Sequence, residues 1–398
     1  MEHPALGVGG QRLRDERLDD LYGLRRTVVA GLALFTLASL AGGLADDPWT
    51  LVAARAFQGL GAAVLAPATL TVLTTAFDED LRPRALSAWT AVGLAGGTAG
   101  NLIGGILTDA LSWRWILLVN VPVGAAALLT TRLLPDGGNA RQRLDLPGAV
   151  LATTGVASLT YGISQGWNAF ALACGTAALA AFTVLQSRTR TPLLPLRLLR
   201  IRTVAVGNVV MLLAGACLNP MWYFLTLSMQ NVLHFGPLQT GLGFLPHTVL
   251  TMAVALRVTP RLTRLASDRT LIVAGSLIAA AGFLWQSRLS PGDGYLTAVL
   301  GPAVLVSAGG GLLNTPITSA VTSGVPARDA GAASGLMNTT KQAGAALGLA
   351  ALVAAAGRST DLATAYGHAF TAIAILLGAT AVTALALPAG TPSPARRA

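Results

Sequence analysis

A charged side chain inside an otherwise apolar segment is the first feature of the sequence that could do chemistry. Arg55 stands in such a segment, and Gln58, Gly59, Gly61 and Pro67 follow it. A charge within hydrocarbon costs several kcal/mol unless the side chain faces a polar cavity or reaches the membrane surface. The position predicts either a functional cation assisted by Gln58, or an arginine about two helical turns deep that extends to the outer surface.

Other polar side chains are also embedded in apolar runs. Asn338, Lys341 and Gln342 fall at helical spacing, and such a face either lines a cavity or ties neighbouring helices together. Asn120 stands just before a proline, whose missing N–H leaves a backbone carbonyl that a neighbour or water must satisfy. His247 is the histidine most deeply placed in an apolar run, where hydrogen-bonded packing is its commonest role.

Residues for acid–base, nucleophilic or metal chemistry are missing from the apolar runs. All seventeen acidic residues lie in termini, in loops or at the ends of runs, and Asp109 comes closest to an interior. Cys174 and Cys217 lie far apart inside apolar runs, and no His/Asp/Glu cluster, Ser–His pair or phosphate-binding loop is present. We therefore expect neither an enzyme nor a bound cofactor or metal.

The composition determines which elements carry these residues. Hydrophobic residues make up 53% of the 398 residues and charged residues 11%, whereas a soluble domain carries about 25% charged residues. An ordinary soluble domain and a disordered chain are both excluded. The net charge of +10 does not indicate nucleic-acid binding, because the arginines lie between apolar runs, as in membrane proteins. The composition predicts an all-α polytopic membrane protein surrounded by the lipid bilayer.

Twelve apolar runs are long enough to cross a bilayer, since a span needs about 20 residues. They cover residues 27–45, 50–77, 85–108, 113–134, 146–164, 167–187, 203–230, 238–257, 270–287, 294–323, 329–356 and 366–388. If the N-terminus is cytoplasmic, 22 of the 27 basic residues lie on the cytoplasmic side and three lie outside. This split predicts an even number of spans with both termini in the cytoplasm.

Glycines recur every four residues along the third predicted span. One ridge contains Gly93, Gly97, Asn101 and Gly105, and the adjacent ridge contains Gly96, Gly100 and Gly104. Small residues at this spacing allow two helix backbones to approach closely. The pattern predicts a tight helix contact, either fixed or sliding.

Four stretches of the chain together resemble the major facilitator superfamily, and closely its fourteen-span drug:proton antiporter branch. The matching residues are Arg55, Gln58, Gly59, Gly61 and Pro67 in the second span, Gly100, Gly104 and Gly105 in the third, Trp113 to Gly124, and Val325 to Gly344. The resemblance implies a major facilitator-type helix bundle with packing roles for these glycines. Asn101 stands where the antiporter motif has proline, and asparagine does not impose the bend that proline gives a helix.

A partial motif ahead of the first span sets the register of the resemblance. The family's loop between its second and third helices reads Gly-x-Leu-x-Asp-x-x-Gly-Arg-Arg-Arg, and Asp20, Gly23, Arg25 and Arg26 match it. The first span here then corresponds to the family's third, and the first two family helices are lacking. The expected parts are residues 1–26 (a cytoplasmic segment with the partial motif), 27–134 (four spans), 135–202 (an inserted helix pair with its linkers), 203–388 (six spans) and 389–398 (a cytoplasmic tail).

The resemblance implies export of hydrophobic or cationic small molecules across the plasma membrane, by alternating access and with the proton as the coupling ion. Arg55 and Gln58 would couple or gate the movement, and Asp20, Arg25 and Arg26 would latch the cytoplasmic side. The candidates for the substrate cavity are Asn120, His247, Asn338, Lys341 and Gln342.

A different hypothesis follows from the departures from the family pattern. The eroded loop motif, the absent first hairpin and the lack of an acidic residue within a span also fit a degenerate membrane protein that does not transport, or an incorrectly assigned start of a full antiporter. Translation of the upstream DNA distinguishes the two, because an incorrect start predicts two further apolar spans there.

Overall fold

The computed structural model of the chain describes residues 6–77, 81–133, 145–189, 192, 194–326, 329–357, 359 and 361–388. All regular elements within these residues are helices. The chain forms two compact units, and the boundary between them follows residue 143.

The first unit contains five α-helices. They are α1 (Leu6–Gly43), α2 (Pro48–Ala76), α3 (Arg82–Ala110), α4 (Trp115–Leu118) and α5 (Asn120–Thr130), followed by a short 3-10 turn at Thr131–Leu133. The helix α1 packs against α2, α4 and α5.

The second unit contains eleven α-helices. They are α6 (Leu146–Ser164), α7 (Ala169–Arg188), α8 (Arg202–Leu218), α9 (Pro220–Asn231), α10 (Pro237–Gly243), α11 (Leu245–Ala253), α12 (Thr259–Leu262), α13 (Asp268–Gln286), α14 (Gly301–Thr322), α15 (Ala330–Ala356) and α16 (Leu362–Ala384). A 3-10 turn at Leu196–Arg200 precedes α8, and π-helical turns at Val254–Val258 and Leu296–Leu300 precede α12 and α14.

Each of the twelve predicted spans coincides with a helix or with a series of short helices. By length and composition, seven segments of the described chain are apolar enough to cross a membrane, and Trp115–Thr130 is a shorter apolar segment. In the family, the segment that corresponds to residues 16–26 is a loop. Here these residues are helical, since α1 begins at Leu6. Residues 16–26 are rich in leucine and arginine, which favour the helix.

Prolines explain why several spans are broken. The chain bends between α8 and α9, where Pro220 follows Asn219, and the π-helical turns at residues 254–258 and 296–300 precede Pro260 and Pro302. A proline has no N–H to donate to the preceding turn, so the local hydrogen bonding shifts or ends there.

The second unit has a continuous core at which its helices converge. Phe283 stacks on Phe370 with ring centroids 6.2 Å apart, and Phe224 meets Phe370 edge-on at 6.5 Å. All three rings are at most 1% exposed. By contrast, large apolar side chains such as Phe170 and Ile375 point outward, which suits helices that contact lipid.

Candidate functional site

A chain of hydrogen bonds in the first unit contains Arg55. The Arg55 guanidinium donates to Oε1 of Gln58, and the Gln58 side-chain nitrogen donates to the Ser39 hydroxyl at 2.7 Å. Ser39 in turn donates to the backbone carbonyl of Phe35 at 2.7 Å. Gln58 and Ser39 are buried, whereas the Arg55 side chain lies on the open side of α2. The network therefore holds one end of the guanidinium and leaves the rest accessible.

Close packing of α1 and α2 makes this network possible. A Cβ atom on Gly61 would lie 2.8 Å from the backbone nitrogen of Phe35 and 2.9 Å from the carbonyl oxygen of Gly31. No larger residue fits there without separating the two helices. Gly59 has no atom within 4 Å of the corresponding position, so these two glycines have different surroundings.

The glycines of α3 have few close neighbours among the described residues. Within that part of the chain, a Cβ atom on Gly100 or Gly104 would meet nothing within 4 Å, and the same holds for Gly93 and Gly96. Gly105 is half-buried. The side chain of Asn101 lies outside the described residues. The predicted packing role of this ridge stays a prediction.

Arg114 joins two loops of the first unit, which the sequence pattern alone did not reveal. Its guanidinium lies 3.1 Å from the Asp46 carboxylate, donates to the carbonyl of Ala45 at 3.0 Å, and sits 5.0 Å from the centre of the Trp113 ring. The loop between α3 and α4 is thereby tied to the loop between α1 and α2. The start of the stretch Trp113 to Gly124, which carries part of the family resemblance, thus connects two loops of the first unit.

The two remaining predictions in the first unit concern Asn120 and the segment before the first span. The side-chain nitrogen of Asn120 lies 3.5 Å from the carbonyl oxygen of Ile116, where α4 gives way to α5. Arg25 is half-buried and Arg26 exposed, and both have interaction partners. The side chain of Asp20 lies outside the described residues.

The polar face of α15 is open in the second unit. Asn338 and Gln342 are exposed, and Lys341 is half-buried. The backbone of α15 is tightly packed at the same level, since a Cβ atom on Gly215 of α8 would overlap the carbonyl oxygen of Lys341. Gly344 approaches the carbonyl of Leu212 in the same way. This backbone contact fixes the position of Lys341 along α8, while the Lys341 side chain is not part of the contact.

His247 lies in the packed core of the second unit. Its Nδ1 is 2.9 Å from the Ser307 hydroxyl, and its ring meets that of Trp222 edge-on at 4.9 Å. The cavity beside it has a volume of only about 10 Å³. This environment is that of a packed, hydrogen-bonded histidine, and the predicted place of His247 in a substrate cavity stays a prediction.

An ion pair joins the linker after α7 to the start of α15. Arg197 donates to the carboxylate of Asp329 at 2.6 Å, and the Asp329 side chain is 7% exposed. Next to this pair, the Leu198 side chain is buried against Val204 and Ala333. The linker is thus held by one charged and one apolar contact.

Comparisons with known proteins show the family of the chain. Residues 16–349 match the family model of the Major Facilitator Superfamily. The chain belongs to this superfamily. As a member, it is a multi-pass membrane transporter and not an enzyme.

Several superfamily relatives are named for antibiotic export or resistance. The cephamycin export protein CmcT of Amycolatopsis lactamdurans is 52% identical over 96% of this chain and 83% of its own length. The puromycin resistance protein pur8 of Streptomyces alboniger is 39% identical over 85% of this chain and 69% of its own length. The lincomycin resistance protein of Streptomyces lincolnensis is 32% identical over 84% and 71%.

Solved superfamily structures share the fold. The nucleoside transporter NupG aligns with a TM-score of 0.62 at 12% identity, covering 92% of this chain and 83% of that protein. The human organic anion transporter MFSD10 aligns with a TM-score of 0.56 at 19% identity, covering 91% and 77%. At these identities the likeness concerns the fold alone.

Proposed function

We propose that the protein is an efflux transporter of the fourteen-span drug:proton antiporter branch. It exchanges protons for small hydrophobic molecules by alternating access, in which two halves of the bundle move around a site near the middle of the membrane. The resemblance adds cationic drugs to the expected substrates.

The observation that carries the proposal is the buried network that holds Arg55, a cation that the sequence predicts within a span. Arg55 is positioned by Gln58 and Ser39 but keeps part of its guanidinium accessible. A cation at this depth is costly unless it serves a polar pathway. A positioned guanidinium repels a nearby protonated group and attracts anions. Release of a proton from such a group therefore depends on whether the conformation of the transporter places it near the guanidinium.

The relatives support the direction of transport. The 52% identical relative is named as an export protein, and two further relatives are named for resistance to puromycin and lincomycin. Resistance by a membrane transporter follows when the compound is moved out of the cell. The compounds in these names are therefore the first substrates to test.

Two further expectations belong to this proposal. Along the chain, the pair α6–α7 follows the five helices of the first unit and precedes the remaining helices of the second. This order supports the fourteen-span branch and the register in which α1 corresponds to the family's third helix. We also propose that Asp20, Arg25 and Arg26 act at the cytoplasmic face, which places both termini in the cytoplasm.

Inside-out membrane vesicles test the proposal. In vesicles that contain the protein, an acidic interior should drive uptake of a cephamycin, puromycin or lincomycin, and collapse of the pH gradient should abolish it. Arg55→Ala should remove gradient-driven uptake, whereas Arg264→Ala, in an exposed loop, should leave it unchanged. If none of the three compounds moves with the gradient, or if Arg55→Ala transports like the wild type, the proposal is wrong.

A further inference from the structure

Lys341 is a charged side chain in the middle of α15, the helix that coincides with the predicted span at residues 329–356. It is the chain's only lysine. Along α15 it lies about 16 Å from the first residue and about 22 Å from the last, too far for its amine to reach lipid headgroups at either end with ease. Its amine therefore needs water or an anion within the membrane.

The second unit supplies no counter-charge for this amine. Five helices pack against α15, namely α6, α8, α9, α14 and α16, and their sequences contain no aspartate or glutamate. The acidic residue at the start of α15 is Asp329, about 18 Å away along the helix axis, and it is paired with Arg197. In the described part of the chain, no hydrogen bond or ion pair of the Lys341 amine is found.

The side chains beside Lys341 on α15 can complete an anion site. Asn338 and Gln342 lie three residues before and one residue after it, and both are exposed. Their amide groups can donate hydrogen bonds to a carboxylate whose charge is neutralised by the lysine. The tight backbone contact between Lys341 and Gly215 keeps this group of side chains at one height.

The distribution of charge disfavours the opposite class of substrate. A cation beside Lys341 meets a like charge, and none of the five helices packed against α15 carries a carboxylate. A cationic substrate would therefore lose its hydration without gaining a counter-charge.

We infer that Lys341, with Asn338 and Gln342, binds the carboxylate of an amphipathic anionic substrate. The inference rests on the proposed export function and narrows its substrate class. It replaces the cationic drugs that the resemblance implies with organic acids that carry an apolar body. Lys341 contacts the substrate and Asn338 and Gln342 orient it.

Because Lys341 is the chain's only lysine, its acylation can be followed as a single event. The purified full-length chain is treated with an amine-acylating reagent, and the modification of Lys341 is followed by peptide mass spectrometry, which separates it from the N-terminal amine. Two probes without a free amine are compared: a cephamycin with its free carboxylate and the same compound as its methyl ester. We expect the free acid to slow acylation of Lys341 and the ester to have no effect.

Calorimetric binding with the same probes tests the charge directly. Lys341→Gln should raise the Kd of the free acid at least about tenfold and leave that of the ester unchanged, because only the acid makes a charge-assisted contact. Lys341→Arg should keep the preference for the acid, which shows that the site itself is folded. Arg264→Gln removes an exposed loop charge as the matched control and should bind like the wild type.

The outcomes separate this inference from the proposed function. Equal Kd values for acid and ester, no binding of the acid, or an unchanged Kd in Lys341→Gln would overturn the inference. Movement of puromycin alone with the pH gradient would also overturn it while leaving the proposed function intact. Lys341-dependent binding of the acid without any movement driven by the pH gradient would support the inference and contradict proton-coupled export.

Discussion

The side-chain nitrogen of Gln58 donates a 2.7 Å hydrogen bond to the hydroxyl of Ser39, which joins α2 to α1 behind Arg55. Both partners are buried, so neither has water as a substitute. The bond positions Gln58, and Gln58 positions the guanidinium. Ser39 therefore acts on Arg55 from a distance, without facing the open side of the helix.

Ser39→Ala should weaken both stability and transport. The change leaves the Gln58 nitrogen without its acceptor, which costs about 1–3 kcal/mol of folding free energy. Thermal unfolding in detergent should show a lower Tm, and gradient-driven uptake should fall because Gln58 no longer fixes Arg55. The matched control is Ser164→Ala, since the exposed Ser164 bonds only to its own helix.

Gly344→Ala should destabilise the second unit. A methyl group at this position would overlap the carbonyl oxygen of Leu212, so α8 and α15 would have to separate. Overpacking of this kind costs about 1–3 kcal/mol. Gly335→Ala, on the same helix with no atom within 4 Å, should leave the Tm unchanged. Equal Tm values for the two variants would contradict the close backbone contact.

The Arg197–Asp329 pair should stabilise the linker on α15. Asp329 is largely buried while Arg197 is about half-exposed, so removal of either partner should cost about 1–3 kcal/mol. The variants Arg197→Met, Asp329→Asn and their combination form a double-mutant cycle, measured by thermal unfolding in detergent. We expect coupling, so that the double variant is more stable than the sum of the single losses implies. Additive losses would contradict a direct interaction, and Arg200→Met should have little effect because Arg200 is exposed.

The N-cap of α16 should make a pH-dependent contribution to stability. Hydrogen bonds from the hydroxyl and backbone N–H of Thr364 hold the pKa of Asp361 below its usual value. A carboxylate with a lowered pKa stabilises the folded state above its usual pKa of about 3.9, and this contribution is lost as the pH falls further. Asp361→Ala should thus lower the Tm at pH 7, and the difference should shrink below about pH 4. A difference that stays constant down to pH 3 would contradict this role.

The helices could be predicted from the sequence because hydrophobic burial in lipid leaves a strong pattern. Each of the twelve predicted spans coincides with helical structure, and the fold class is confirmed by the superfamily match. The breaks were harder to predict. Pro122 indicated a backbone carbonyl without its helical hydrogen bond. The helix break itself lies at Val119, between α4 and α5, which both pack against α1.

The charged candidate residues can be recognised in the sequence, whereas the residues that contact them cannot. Arg55 and Lys341 are recognisable in the sequence because a charge in an apolar run is rare. Ser39, by contrast, is an ordinary serine in a helix, and its role exists only because α1 and α2 meet at Gly61. The Arg197–Asp329 pair joins residues 132 positions apart, a distance at which the sequence carries no pairing signal.

Proton movement during substrate transport tests the central claim most directly. Proteoliposomes containing the protein and a trapped pH-sensitive dye are clamped at zero membrane potential, and a cephamycin is added outside without a pH gradient. Exchange of substrate for protons predicts that the interior becomes more alkaline as the substrate enters, and that Arg55→Ala and protein-free liposomes show no such change. Uptake of the cephamycin by the wild type with no change of internal pH would contradict proton-coupled export.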